Sequence, residues 1–157
     1  MIKSLLKTAS RHESCQLKDP DGQPRSELPL PEDLKEFFEV AGGMKLFAGA
    51  DYPFEIVSPN EFTKSNPVIC DVNGEDDISF HWYIVAKEPP QYISIDLHPD
   101  RLGRCYDSFW DCHAVAGACA IVATSFTALL DQLLQAQGRE LFWKQPDFIV
   151  LGDAYDE

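Results

Sequence analysis

Basic side chains are scarce in this 157-residue sequence: 13 Lys and Arg stand against 26 Asp and Glu, a formal net charge of −13. Repulsion from phosphate argues against a nucleic-acid partner and against anionic membrane surfaces, whereas a basic protein would be steered in. No stretch strings together the roughly 18 apolar residues that a membrane-spanning helix needs. Residues 1–13 alternate charge with apolar side chains and lack the continuous core of a signal peptide, so a cytoplasmic location is expected. The five cysteines are odd in number and form no Cys-x-x-Cys pair, which reads as free thiols. Gly-x-Gly-x-x-Gly, P-loop, Gly-x-Ser-x-Gly and His-Glu-x-x-His motifs are all missing, so no cofactor is expected and catalysis finds no motif.

The apolar content is 45% and the aromatic content 11%, enough for a buried core in one domain. The expected organisation is a single domain over 1–157: an N-terminal helix and polar loop (1–27), a core (28–151) and a frayed acidic tail (152–157). Apolar residues at Ile2, Leu5, Leu6 and Ala9 predict a helix over 2–13. Residues 14–28 carry two prolines and Asp21-Gly22 and read as loop. Pro31 at the first helical position, with Glu32 and Asp33 after it, opens a second helix. Gly42-Gly43 closes it. Strands are expected at 45–48, 54–58, 68–72, 79–87, 92–97, 104–107 and 119–123. Short turns between them favour an antiparallel meander. Phe126, Leu129, Leu130, Leu133 and Leu134 mark a last helix, capped by Thr124 or Ser125 and closed by Gly138. Leu141 to Leu151 is expected to pack.

Ordered blocks stand out: Leu28–Gly43 with its Pro-led helix and glycine pair, Phe54–Phe62 with Ser58-Pro-Asn-Glu61, Tyr92-Ile-Ser-Ile-Asp96, Gly103–Asp107, and Ile121–Leu134 with Ser125-Phe126. Together they resemble the SUKH superfamily (Smi/Knr-like), over roughly residues 28–134. Ala41 stands where an Asn often precedes the glycine pair, and Thr124 precedes the Ser-Phe pair. The resemblance implies an α+β fold, with a curved, mostly antiparallel sheet of about six strands and helices packed on one side. It makes Pro31, Gly42, Gly43, Gly103, Ser125 and Phe126 fold determinants and supplies no catalytic residues. Many bacterial members are immunity proteins that neutralise toxins, often nucleases; fungal members are regulatory binding proteins.

Three functions stay open. The first is a protein-binding immunity protein whose partner is a basic toxin domain. Asp71, Glu75, Asp76 and Asp77 crowd the turn at Asn73-Gly74, and Phe109-Trp110-Asp111 adds aromatic anchors of the kind that dominate interface energies; the bland reading is a solvated turn and core aromatics. Trp82 is expected in the core. The second is a regulatory scaffold of the same fold. The third is a small metal-dependent enzyme using Cys105, Cys112 and His113, completed by Asp107, Asp111, His81 or His98. Its six-residue gap between Cys105 and Cys112 fits zinc loops poorly, and adjacent Cys112 and His113 would diverge on a strand. Asp96-Leu-His-Pro-Asp100 is explained as well by a strand entering a turn as by a carboxylate–histidine cluster.

Overall fold

Seven short strands pair in chain order, each with its neighbour, into one antiparallel sheet in the computed structural model, which describes residues 1–156. They are β1 (Gln16–Leu17), β2 (Met44–Leu46), β3 (Phe54–Ile56), β4 (Trp82–Glu88), β5 (Gln91–Asp96), β6 (Cys105–Asp107) and β7 (Ile121–Ala123). Four α-helices accompany them: α1 (Ile2–Ala9), α2 (Glu32–Val40), α3 (Ser65–Ile69) and α4 (Phe126–Ala136). The α+β antiparallel architecture expected from the sequence is therefore present, with seven strands instead of about six. No helix among the described residues is long and apolar enough to cross a membrane.

Two apolar clusters divide the sheet by face. The larger contains the buried stripes of α1, α2 and α4 together with Met44, Ile56, Tyr83, Ile93, Ile95 and Cys105. Phe126 at the start of α4 meets Phe37 of α2 edge-on, with ring centroids 5.2 Å apart. Side chains alternate across a strand, so Trp82 and Tyr106, next to Tyr83 and Cys105, emerge on the other side. There they stack at 4.1 Å and join Cys119, Ile121 and Ala154 in the smaller cluster. Trp82 is fully buried, as its apolar neighbours predict.

Capping accounts for the helix starts. Ser125 Oγ accepts the Ala128 amide, while Asp33 Oδ2 accepts both the amide and the hydroxyl of Thr127. A carboxylate of α2 thus sits on the positive end of α4 and ties the two helices together. Pro31 occupies the cap position of α2, one residue earlier than expected. Ser58 and Glu61 form a reciprocal capping box on a short 3-10 helix at Pro59–Glu61, and Glu61 also pairs with Lys87. The Ser-x-x-Glu block is thereby a local folding element.

Several expectations need correction. The first helix ends at Ala9, and the loop that follows contains β1, extended by hydrogen bonds from Lys18 N to Gly43 O and from Gly42 N to Lys18 O. Residues 68–72 are not a strand: α3 runs through Ile69 and leaves Val68 and Val72 exposed. Residues 78–81 form a 3-10 turn before β4. The glycine pair does not cap α2 in a left-handed conformation, because Ala41 is extended; Gly43 alone adopts a positive φ, of 115°. Gly42 is needed for space, since a Cβ there would lie 2.1 Å from the Asp19 carbonyl oxygen. Gly103 turns into β6 at φ 90°. At α4 it is Gln137 that takes the left-handed cap, ahead of Gly138.

The tail also differs. Ile149 and Val150, expected to pack, are exposed. The segment expected to fray is held instead: Asp153 accepts the amides of Gly117 and Cys119, Ala154 is buried, and Tyr155 donates its hydroxyl to Asp77. Glu157 lies outside the described residues.

Gly42→Ala is predicted to cost about 3 kcal/mol, at the upper end of overpacking penalties, because a backbone oxygen is the obstacle. Urea unfolding followed by circular dichroism checks this through the shift in midpoint at unchanged slope.

Candidate functional site

On the smaller cluster's side, the sheet is rich in hydrogen-bonding groups, whereas the helix side is mainly apolar. Asp96, at the end of β5, has no exposed surface. Its Oδ2 accepts from Tyr106 Oη at 2.6 Å, Arg101 Nε at 2.9 Å and Trp82 Nε1 at 3.2 Å; its Oδ1 accepts the His98 amide. A buried carboxylate is tolerated only when paired and hydrogen-bonded in this way. The same carboxylate explains the Asp96–Asp100 cluster as a strand entering a turn: His98 caps it by accepting the Asp100 amide. Burial, and then the negative charge of Asp96, raises the Tyr106 phenol well above its ordinary range.

A chain of polar side chains runs from this face to the acidic turn. Asn66 Nδ2 donates to the Asn73 carbonyl at 3.1 Å and to Ser79 Oγ at 2.9 Å. A carbonyl can only accept, so the amide nitrogen must face it and the amide oxygen must face His113. The proton therefore sits on His113 Nε2, which donates to Asn66 Oδ1 at 2.7 Å. Nδ1 in turn accepts from Ser108 Oγ at 2.9 Å, and Ser108, Ser94 and Ser65 continue the chain. Burial pushes His113 down to about 4, the nearby charge of Asp77 working the other way, so the ring is neutral at pH 7. His113 is thus the clamp that joins the 108–113 loop to α3 and the acidic turn. Sequence reasoning flagged His113 as a metal ligand and missed Asn66, Ser79, Ser94 and Ser108.

The acidic turn divides into free and committed carboxylates. Asp71, Glu75 and Asp76 are exposed. Asp77 is half-buried and accepts from the Ser79 amide and the Tyr155 hydroxyl. Burial works to raise its carboxyl, but these hydrogen bonds outweigh burial and hold it below the usual range. The neighbouring loop divides in the same way: Phe109 is half-buried, Trp110 is 60% exposed, and Asp111 points to solvent. The exposed carboxylates of the acidic turn and the exposed Trp110 indole thus stand on two loops that the Asn66–His113 clamp joins.

Immunity protein YokJ of Bacillus subtilis (strain 168) is 42% identical to this chain over 158 residues, spanning 99% of this chain and 96% of that protein. The chain belongs to the YokJ family. No family model matches it.

Among the described residues, the cysteines of this member of the YokJ family assemble no metal centre. Cys105 lies on the helix side of the sheet, its thiol against the carbonyls of Gly103 and Ser125. Cys112 and Cys119 both direct their thiols at the Asp107 carbonyl instead, and His113 is occupied by Asn66 and Ser108. Among the described residues no three His, Cys, Asp or Glu side chains converge on a point that would hold an ion. Asp107 is spent on the Phe109 amide, Gln91 and Trp143, and the His81 ring lies tilted against His98, 5.4 Å between centroids. Burial, followed by the charges of Asp107 and Asp111, pushes the Cys112 thiol up to about 12; burial does the same for Cys119. Neither is a ready nucleophile at neutral pH.

Two predictions follow from the network. Asp96→Ala strands the fully buried donors of Trp82 and Tyr106 and leaves the partly exposed Arg101 without its partner, and is expected to cost about 3–5 kcal/mol in urea unfolding. His113 is also predicted to tie stability to acid. Its folded pKa lies below the unfolded value of roughly 6.5, so the unfolded chain binds the proton first as pH falls, and stability drops from about pH 6.5 towards 4. The loss attributable to this group is on the order of 3 kcal/mol. Comparing unfolding midpoints at pH 7 and pH 4.5 in wild type and His113→Gln isolates it: the variant should show the smaller decline.

Proposed function

We propose that this chain is an immunity protein of the SUKH type that binds a protein toxin in the cytoplasm and neutralises it, without catalysis of its own. The near full-length likeness to immunity protein YokJ carries this reading. The ordered Pro-led helix, Ser-x-x-Glu, Ile-x-Ile-Asp and Ser-Phe blocks support the superfamily assignment. The toxin is taken to be a basic domain of nuclease type, because a surface that grips phosphate is cationic, and a chain of net charge −13 attracts such a surface over long range.

The binding surface proposed is Asp71, Glu75 and Asp76 with Phe109, Trp110 and Asp111. Asp77 supports it from below by fixing the turn. In such an interface the carboxylates set the rate of encounter and the indole supplies buried contact area. The free carboxylates and the exposed Trp110 stand on loops that a buried clamp already orders, which lowers the entropy cost of binding.

The test is co-expression with toxin domains, starting from the product of the neighbouring gene, followed by kinetics on the purified pair. Growth should be restored, and association should slow as salt rises. Glu75→Lys with Asp76→Lys should cut the association rate roughly tenfold at low ionic strength and flatten its salt dependence, with little effect on folding. Unprotected cells would sink the immunity reading. An unchanged association rate would move the interface elsewhere.

A further inference from the structure

Beside the proposed surface, and sharing Phe109 with it, lies a cleft of about 360 Å³ between the 51–54 segment, the Pro89-Pro90 turn of the β4–β5 hairpin and Leu141. We infer that this cleft receives an arginine side chain of the protein partner, an inference that rests on the binding role proposed above.

The lining is largely apolar: Tyr52, the buried Phe54, Phe109 and the prolines Pro53 and Pro90 contribute to it. Tyr52 is half-exposed, 46%, at its mouth. Trp110 stands beside it, its ring 6.3 Å from Phe109 and its amide donating to the Pro90 carbonyl, so loop and hairpin turn are held together. Asp51 and Glu88 also line the cleft, and both are exposed. Among the described residues neither enters an ion pair, whereas Glu55 and Glu61 of the neighbouring strand and turn are held by Lys18 and Lys87. Lys144 is the single cation in the lining, so carboxylates exceed cations by one.

Apolar walls and free carboxylates together select the occupant. A guanidinium is planar, stacks on aromatic faces, is weakly hydrated and offers a fork of donors to a carboxylate. A lysine ammonium is compact and strongly hydrated, and it gains less from apolar walls. A second copy of this chain would bring another 13 net negative charges to the same place, which leaves a basic partner as the match. An arginine seated here has two attributes of an interface anchor: apolar walls and a charge met by carboxylates.

The probe is N-acetyl-arginine amide, titrated into the intact protein and followed by amide chemical shifts, with the citrulline and lysine counterparts in parallel. Saturable shifts are expected at Tyr52, Gln91, Phe109 and Leu141 with the arginine compound. They should be several-fold weaker with lysine and lost with citrulline. Glu88→Gln and Asp51→Asn alter exposed carboxylates that make no side-chain hydrogen bond or ion pair among the described residues, so both variants should fold and bind the probe at least fivefold more weakly. Equal shifts with citrulline, no cleft shifts, or full binding in both variants overturns the inference. The probe needs no toxin, so that failure leaves the immunity role standing. A toxin that ignores the wild-type protein overturns the role without touching the cleft result.

Discussion

The carboxylate of Asp96 is the constraint around which the outer face of the sheet is arranged. An ion removed entirely from water has to be met by several donors at once, and the three side-chain donors come from β4, from β6 and from the turn after β5. Trp82 and Tyr106 stack because both reach for the same oxygen. Strand register, aromatic stacking and the turn at His98 are therefore consequences of one buried charge. On the helix side the buried Asp107 has a similar part, accepting from the Phe109 amide, Gln91 and Trp143, while the apolar stripes around it bury themselves without direction.

The two faces of the sheet do different work. Helices α1, α2 and α4 supply the apolar core, and Asp33 locks α2 against the N-terminus of α4. The opposite face holds loops by hydrogen bonds, through Asn66, His113 and the three serines. Loops held in this way keep their backbone in place while their outward side chains stay wet, the arrangement expected of a recognition surface. Its thiols and histidine are chemically quiet because burial keeps them neutral.

Periodicity made α1, α2, α4 and the strands of the meander legible in the sequence, since each buries a stripe whose period is that of its backbone. Residues 68–72 misled because Val68, Ile69 and Val72 look like a strand. Pro67 instead falls in the first turn of α3, where its missing amide costs nothing, and Val68 and Val72 end up in water. Strand β1 was hidden by its length of two residues. The acidic turn and Trp110 could be located from composition, but the free and the committed carboxylates look identical in a sequence. What separates Asp77 from Asp76 is Tyr155, 78 residues away. His113 was likewise noticed for the wrong reason: its partner Asn66 is 47 residues distant, and no local spacing announces such a bond.

The clamp fixes the acidic turn through the Asn73 carbonyl and the Ser79 hydroxyl, and makes no hydrogen bond to the side chains at 71, 75 or 76. The shape of the loop is thereby inherited separately from the chemistry it displays. Substitutions at those outward positions can therefore accumulate one at a time while the scaffold that holds the loop stays intact.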